Sequence, residues 1–528
     1  MPPQPEDQTN ETEEGCKWEE PIQELEEEDD DMLIHVEWDR LRKEFCEYLE
    51  NETPAIEAIV AQHLNLTSHQ TCRVAERSQW LDKGTFNLCV PVFINNWHAR
   101  RVLIRCPFPH RLGGLHTTAL MEEKLRCEAA SFAHLSRNHP RVPIPHLWGF
   151  GLPGGLHFSP LEHAPWYQRA STCLKHCWSW IIRRPYFQPF VPCQSHVSLK
   201  SGYLVMQFFE EERGRMLCAV ERPTPEHRRT LFRSLRGILL DLSRPLSRIG
   251  SFTVHDSGEV SLSNRPLTRG LAVLENTGIQ TQIPRDYCYS STDSYLLDLL
   301  DCHDQRLIHQ PNAARSKLDL EGQMATIVAL RALYSRFRNT PLQRKPPIFQ
   351  FTDLHESNFF VDEKYHITGI VDIEWSCVLP MEMQHPPFWL SGHELDDLDG
   401  EGTRENEQNF ERACEEFLQI LEEEDEGETF SIRPRDYAQA MRDSLRRKQH
   451  WYVTAIKIPR IAYNLFIHKI QPLFAFAHSE EDAGIFQDVV ARYWRVDTVG
   501  FVEQKRRDWS DYLSQLRSIQ GPSISTPV

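Results

Sequence analysis

Asp353 and Asn358 stand five residues apart in a short polar stretch, Thr352-Asp353-Leu354-His355-Glu356-Ser357-Asn358. Asp372 closes the run Ile367–Val371 that comes after it. The text between them predicts a hairpin: Phe359-Phe360-Val361, a turn over Asp362–Tyr365, and a return strand over Ile367–Val371. A hairpin brings the end of its second strand back to the start of its first, so Asp372 is expected beside the Asp353–Asn358 loop. Two carboxylates and an amide oxygen then meet at one mouth. Hard oxygen donors of this kind suit Mg²⁺, which takes one or two carboxylates and completes its shell with water and substrate phosphates. The remaining Asp is placed to orient or deprotonate a hydroxyl nucleophile. This is the chemistry of phosphoryl transfer, where positioning and charge neutralisation supply most of the rate. A D-x-x-x-x-N on its own arises on many surface loops; its specificity comes from the strand-end Asp downstream.

The elements that must position these residues fall into two groups. Helical spacing appears near Ile34–Leu49 and Ala55–Leu64. Strand-like text follows over 79–81, Asn87–Ile94 and Ala99–Arg105, broken by turns at Asp82–Phe86 and Asn95-Asn96. A helix is expected over Thr118–Leu135 and another strand over Leu147–Leu152. Residues 153–200 read as an irregular aromatic insertion whose Pro185, Pro189 and Pro192 prevent a long helix, its rings forming a small satellite core. Tyr203–Phe209 is a short apolar strand that runs into polar Glu210–Gly214, and helices are expected over Pro225–Leu242, Asp293–Leu300 and Leu318–Phe337. Strands first and helices second predict an α+β fold of two lobes, with a small antiparallel-sheet N-lobe and a large, mostly helical C-lobe. The expected boundaries are an acidic disordered tail at 1–31, a helical extension at 32–75, the N-lobe at 76–208, the C-lobe at 209–518 with its catalytic loop at 351–375, and a flexible tail at 519–528.

With Phe351-Thr352-Asp353-Leu354-His355 and Val371-Asp372-Ile373-Glu374-Trp375 in place, the chain resembles the aminoglycoside phosphotransferase and choline kinase-like family, of protein kinase-like fold. It looks closest to the fungal branch, on Lys124–Ala130, Val142-Pro143-Ile144-Pro145 and Leu262–Leu267. The resemblance implies an ATP- and Mg²⁺-dependent transfer of phosphate to a small-molecule hydroxyl. It makes Asp353 the catalytic base, Asn358 and Asp372 the Mg²⁺ ligands, and His355 a loop-ordering or substrate-side residue. It makes Glu128 the helix partner of a strand cation, Arg105, near the nucleotide phosphates. Gly84-Thr85-Phe86 would cover those phosphates, and Met206-Gln207-Phe208 would meet the adenine edge. Three positions depart from the family text. Phe351-Thr352 stands for His-Gly, the phosphate loop has one glycine, and the strand cation is Arg where Lys is usual. These departures support an alternative: a pseudokinase acting as a binding or regulatory protein. A protein kinase is the weaker reading, since H-R-D, D-F-G and A-P-E are absent.

The 528 residues carry 58 Lys+Arg against 76 Asp+Glu, a net charge of −18. That balance argues against nucleic acid or an anionic membrane as a general partner. Fourteen of the acids fall in residues 1–31, beside Lys17 alone. No run long enough for a transmembrane helix occurs, and the first residues match neither a signal nor a transit peptide. The 14 cysteines form no C-x-x-C pair, which predicts reduced thiols and a cytoplasmic protein.

Overall fold

The computed structural model describes residues 25–26, 28–82, 84–113, 118–181, 183, 186–194, 197–399, 404–423, 430–474 and 480–519. Most of the expected acidic tail and residues 520–528 lie outside this set.

The N-terminal lobe is an antiparallel sheet of seven strands. In chain order they are β1 (Thr71–Val74), β2 (Asn87–Asn95), β3 (Arg101–Pro107), β4 (Leu147–Gly151), β5 (Leu156–Pro160), β6 (Phe190–Gln194) and β7 (Tyr203–Gln207), arranged β1-β2-β3-β7-β4-β5-β6. Alternation along the strands assigns the two faces. Leu88, Val90, Val92 and Ile94 of β2, with Val102 and Ile104 of β3, pack on Phe45, Leu49, Ile56 and Val60 from α1 (Trp38–Asn51) and α2 (Thr53–His63). Arg105 has the opposite parity and turns to the other face, which is covered by α3 (Ala119–Asn138). The helical extension therefore covers one side of the sheet and leaves the other to the site.

Three sequence expectations change here. The sheet begins at Thr71, inside the stretch read as helical extension, because β1 pairs with β2 in register Thr71↔Asn95. Residues 153–200 are not irregular: β5 and β6 extend the sheet, and between them runs the helix α4 (Trp166–Ile181), which ends before the three prolines that were expected to prevent it. Part of the stretch expected to be disordered is packed, since Leu25 and Met32 are buried against Tyr512 and Leu516 and Asp31 Oδ1 accepts from the Leu33 amide at 3.1 Å.

The C-terminal lobe is mostly helical. Its longer helices are α5 (Pro225–Leu242), α6 (Arg269–Asn276), α7 (Thr292–His309), α8 (Lys317–Phe337), α9 (Arg404–Glu422), α10 (Pro434–Arg446), α11 (Gln449–Lys457), α12 (Glu480–Val490) and α13 (Thr498–Ile519). Short strands punctuate it: β8 (Arg215–Met216), β9 (Ser251–Val254), β10 (Val260–Asn264), β11 (Ile348–Phe351), β12 (Phe359–Val361), β13 (Ile367–Ile370) and β14 (Ser376–Leu379). The β9–β10 hairpin lies against α3. β11 pairs with β14, and β12–β13 is the expected hairpin, in register Phe359↔Ile370, with β8 added on its outer edge. The layout is the two-lobed α+β arrangement expected, an antiparallel sheet followed by helices.

Candidate active site

β11 delivers the chain to the loop 352–358, and the β12–β13 hairpin returns it to Asp372. The turn between the strands is tied by Asp362 Oδ1, which accepts from the amides of Lys364 and His366, each at 2.9 Å. Gly369 is required where it stands, because a Cβ there would lie 2.4 Å from the Phe209 ring. That contact seats the segment leaving β7 on the hairpin.

Asn358 is buried and stitches the loop to the strand end. Its Nδ2 donates to the Asp353 carbonyl at 2.7 Å, and its own carbonyl accepts from the Val371 amide at 2.9 Å. The amide nitrogen points at Asp353, so Oδ1, the end a cation needs, is the other end of the side chain. Asp372 follows with φ +59°, a left-handed conformation that costs a non-glycine residue of order 1 kcal/mol or more and that clusters at functional sites. Thr352 ties the loop from the other side: its hydroxyl donates to the Trp375 carbonyl at 2.6 Å. His355 is half-exposed, with Nδ1 2.7 Å from Ser357 Oγ and Nε2 3.8 Å from Asp353 Oδ1. Asp353 Oδ1 also receives Arg269 Nη1 at 3.4 Å.

The strand and helix cations gather on the same mouth. Arg105 Nη1 donates to Glu128 Oε1 and Nη2 to Asp372 Oδ1, while Glu374 Oε2 lies 3.1 Å from Nη2. Lys124, one turn before Glu128 on α3, is fully buried. It pairs with Glu374, lies 3.3 Å from Glu128 Oε2 and donates to Asn87 Oδ1 at 2.9 Å. Asn87 in turn donates to Glu374 at 2.9 Å. The set is three carboxylates against two cations. Burial opposes ionisation of Glu374, but Lys124 and Arg105 outweigh it and hold its pKa below the usual range. At Asp372 the balance reverses. Burial, reinforced by the Glu374 charge, pushes it up to about 6 against the pull of Arg105. The unmatched negative charge of the cluster therefore sits at Asp372.

The remaining expected residues divide. Phe86 is buried and packs edge-on to Trp375, ring centroids 5.1 Å apart, beside the Asp372 turn. The Gly84 carbonyl accepts from Arg42 of α1 at 3.0 Å, which ties the loop Gly84-Thr85-Phe86 to the helical extension. Met206 is buried within β7, paired to both Leu103 and Leu147. The Gln207 amide donates to His146 O at 2.8 Å, so β7 ends there and Phe208 is the first residue beyond the ladder. The Arg101 guanidinium stacks 3.9 Å from the Phe208 ring centroid.

Arg269 was not singled out in the sequence; Lys124, Glu374 and Asn87 stand in or beside the motif text, but their joint cluster with Arg105 was not expected. Among Glu122, Glu123, Lys124 and Arg126 the text suggests a solvated helix face, yet Glu123, Lys124 and Glu128 are all buried. The Lys124–Glu128 spacing of one helical turn was the available signal. Among the described residues no group of three or more His, Cys, Asp or Glu side chains is arranged to hold a metal ion. A divalent ion at Asp372 and Asn358 fits only if nucleotide oxygens complete its shell, which is how Mg²⁺ is commonly held.

No family model matches the chain, and no curated protein matches it. Solved structures similar to it include an aminoglycoside phosphotransferase in ternary complex with AMP-PNP and hygromycin B, at 8% identity and TM-score 0.36 over 87% of this chain and 98% of that one. A macrolide 2'-phosphotransferase type I matches at 11% identity and TM-score 0.34, over 83% and 97%. An ethanolamine kinase of Plasmodium vivax matches at 11% and 0.32, over 81% and 84%. At such scores the likeness carries no argument, and the reading of the site rests on its own residues.

Proposed function

We propose that the chain is an ATP- and Mg²⁺-dependent phosphotransferase that passes the γ-phosphate to a hydroxyl of a small molecule. The observation that carries this reading is the convergence of Asp353, Asn358 and Asp372 on one mouth, with the Arg105–Glu128 pair behind them. Asp353 accepts the proton of the acceptor hydroxyl as its oxygen bonds to the γ-phosphorus and the bond to ADP breaks. Asn358 holds the Asp353 backbone and so fixes the distance from base to acceptor. Arg105, oriented by Glu128 and Glu374, faces the phosphates. Asp372 and Asn358 would hold Mg²⁺, which when bound would supply charge neutralisation on the phosphate oxygens.

A second reading has its own support. Arg105 engages the carboxylate meant for the metal, and Arg269 engages the base, an arrangement that suits a regulator binding nucleotide without turnover. Mg·ATP binding and slow ATP turnover measured for wild type, Asp353→Ala and Asp372→Ala separate the two. The enzyme reading expects binding in wild type, turnover lost in Asp353→Ala, and both weakened in Asp372→Ala. Absence of binding at millimolar Mg·ATP sinks it. Binding with no turnover, the same in Asp353→Ala, favours the regulator. A gain of activity in Arg105→Lys identifies the strand cation as the limiting group.

A further inference from the structure

The helix α4 has its amphipathicity reversed. Toward the body it buries Thr172 and Ser179, whereas Trp166 is 79%, Leu174 72%, Trp178 64% and Ile181 64% exposed, with Tyr167 among them. At about 100° per residue these five rings and aliphatic chains fall within one arc of about 120°, opposite Thr172 and Ser179. Exposed Arg169 and Lys175 flank that arc, one on each side. An open pocket of about 690 Å³, lined in part by Trp166, Thr172, Cys173, Tyr186 and Phe187, lies beside α4. Of the rings expected to form a satellite core here, Trp178 faces water, whereas Phe190 is buried in the main core and Phe187 packs against it.

The charge around this helix is equally distinctive. From residue 163 to residue 209 the sequence holds no Asp or Glu, while it carries Arg169, Lys175, Arg183, Arg184 and Lys200, in a chain of net charge −18. The whole-chain charge that argues against an anionic membrane is reversed over this stretch. An apolar face with tryptophans, bordered by cations whose stems lie along it, is the pattern of a helix lying in a bilayer interface.

We propose that α4 is an interfacial anchor that lays its Trp166–Leu174–Trp178–Ile181 face into an anionic bilayer surface, with Arg169 and Lys175 meeting the headgroups. A second copy of the chain suits the face less well. Stacking two such faces sets Arg169 and Lys175 of each copy near those of the other, with no acid in the stretch to pair them. No helix of the described residues is long and apolar enough to cross a membrane, so the contact is a surface one.

The test is co-sedimentation of the full chain with vesicles of phosphatidylcholine alone and of phosphatidylcholine mixed with phosphatidylserine, at low and physiological salt. Expected is binding at least about tenfold stronger to the phosphatidylserine vesicles, weakened by salt. Leu174→Glu with Trp178→Glu lowers that binding by about tenfold or more at an unchanged melting temperature. Arg169→Glu with Lys175→Glu abolishes the preference for phosphatidylserine, and decides the matter should the first pair unfold the helix. No binding to phosphatidylserine vesicles at low salt, or binding indifferent to both pairs, overturns the proposal. So does a dimer in solution that the Leu174/Trp178 pair dissociates, which assigns the face to a second copy.

Discussion

Helix α3 carries two buried acids five residues apart, Glu123 and Glu128, and they anchor two ionic clusters of opposite character. Glu123 takes the fork of Arg265 at 2.9 Å on both oxygens, with Arg285 at 3.0 Å and Asn264 at 2.9 Å. The same Arg265 grips Glu275 at 2.6 and 2.7 Å, and burial of Glu275 is outweighed by that grip, which holds its pKa below the usual range. Two acids meet two bases, and the set is closed. Around Glu128, three carboxylates meet Arg105 and Lys124, and the set stays one positive charge short at Asp372, where the backbone is also strained. A closed set fixes a fold; an open one leaves a place for a cation that arrives with a ligand. The Asn264-Arg265 text therefore maintains structure, whereas the Asp372 text is where the proposed chemistry is placed.

The comparison is broken most forcefully from the closed side. Arg265→Met strands the half-buried Glu275 and leaves buried Glu123 with the rim residue Arg285 alone, and is expected to cost about 3–5 kcal/mol, read as a fall in the urea midpoint at unchanged slope. Arg105→Met is expected to cost less, about 2–3 kcal/mol, because Lys124 still neutralises Glu128 and Glu374, and Asp372, which solvent reaches, takes up a proton. Mg²⁺ with a non-hydrolysable nucleotide raises the midpoint of Arg265→Met by as much as that of wild type and that of Arg105→Met by less, because Arg105 faces the phosphates. An equal rise in both variants removes the distinction between the clusters.

Half of this contrast was legible in the sequence. The Asp353–Asn358 loop and the hairpin to Asp372 are local features whose turn and alternation are written into consecutive residues. So are the helices α2 and α5, found within two residues of their expected bounds. The β9–β10 hairpin was not seen, although Phe252, Val254, Val260 and Leu262 alternate with Ser251, Thr253, Ser261 and Ser263, because its strands are only four and five residues long. Lys124 and Glu123 looked like surface charges because the text does not show that α3 is wedged between a sheet and a hairpin. Their burial is a tertiary fact. The aromatic run 166–181 was read against its downstream prolines, but these begin only after the helix has ended.

Asp372 gives a smaller effect with a definite sign. Its pKa rises from the usual 3.8 to about 6, chiefly through burial, so between about pH 4 and 6 the folded chain keeps a proton that the unfolded chain has released. The stability carried by protonated Asp372 is therefore full below that window and lost as pH rises through 6. Asp372→Asn mimics the protonated form and retains it. The variant is expected to gain stability over wild type, by less than about 1 kcal/mol because solvent screens the carboxylate, with the difference growing from pH 4 to 6 and level above. Buried histidines such as His63, lowered to about 3, and His303, lowered to about 4, chiefly by burial, titrate alike in both chains and cancel from that difference. Turnover is lost in the same variant. A difference that shrinks between pH 4 and 6 contradicts the open cluster.

The smallest effects lie at the two rims, where each cluster has a half-exposed arginine: Arg285 on Glu123 and Arg269 on Asp353. Both pairs are partly in water, so Arg285→Ala and Arg269→Ala are each expected to change stability by no more than about 0.5 kcal/mol. Their effects on a divalent ion differ. Removing Arg269 leaves Asp353 uncompensated beside Asp372, whose pKa already registers the Asp353 charge, and makes the open site more negative. Binding of Mn²⁺, followed by its paramagnetic relaxation as a stand-in for Mg²⁺, is expected to tighten by about two- to fivefold in Arg269→Ala, an electrostatic gain under about 1 kcal/mol. In Arg285→Ala it stays as in wild type, because Glu123 and Glu275 still have Arg265 between them. A tightening shared by both variants reports only the loss of one positive charge from the molecule, and a tightening confined to Arg269→Ala locates the missing charge at the mouth formed by Asp353 and Asp372.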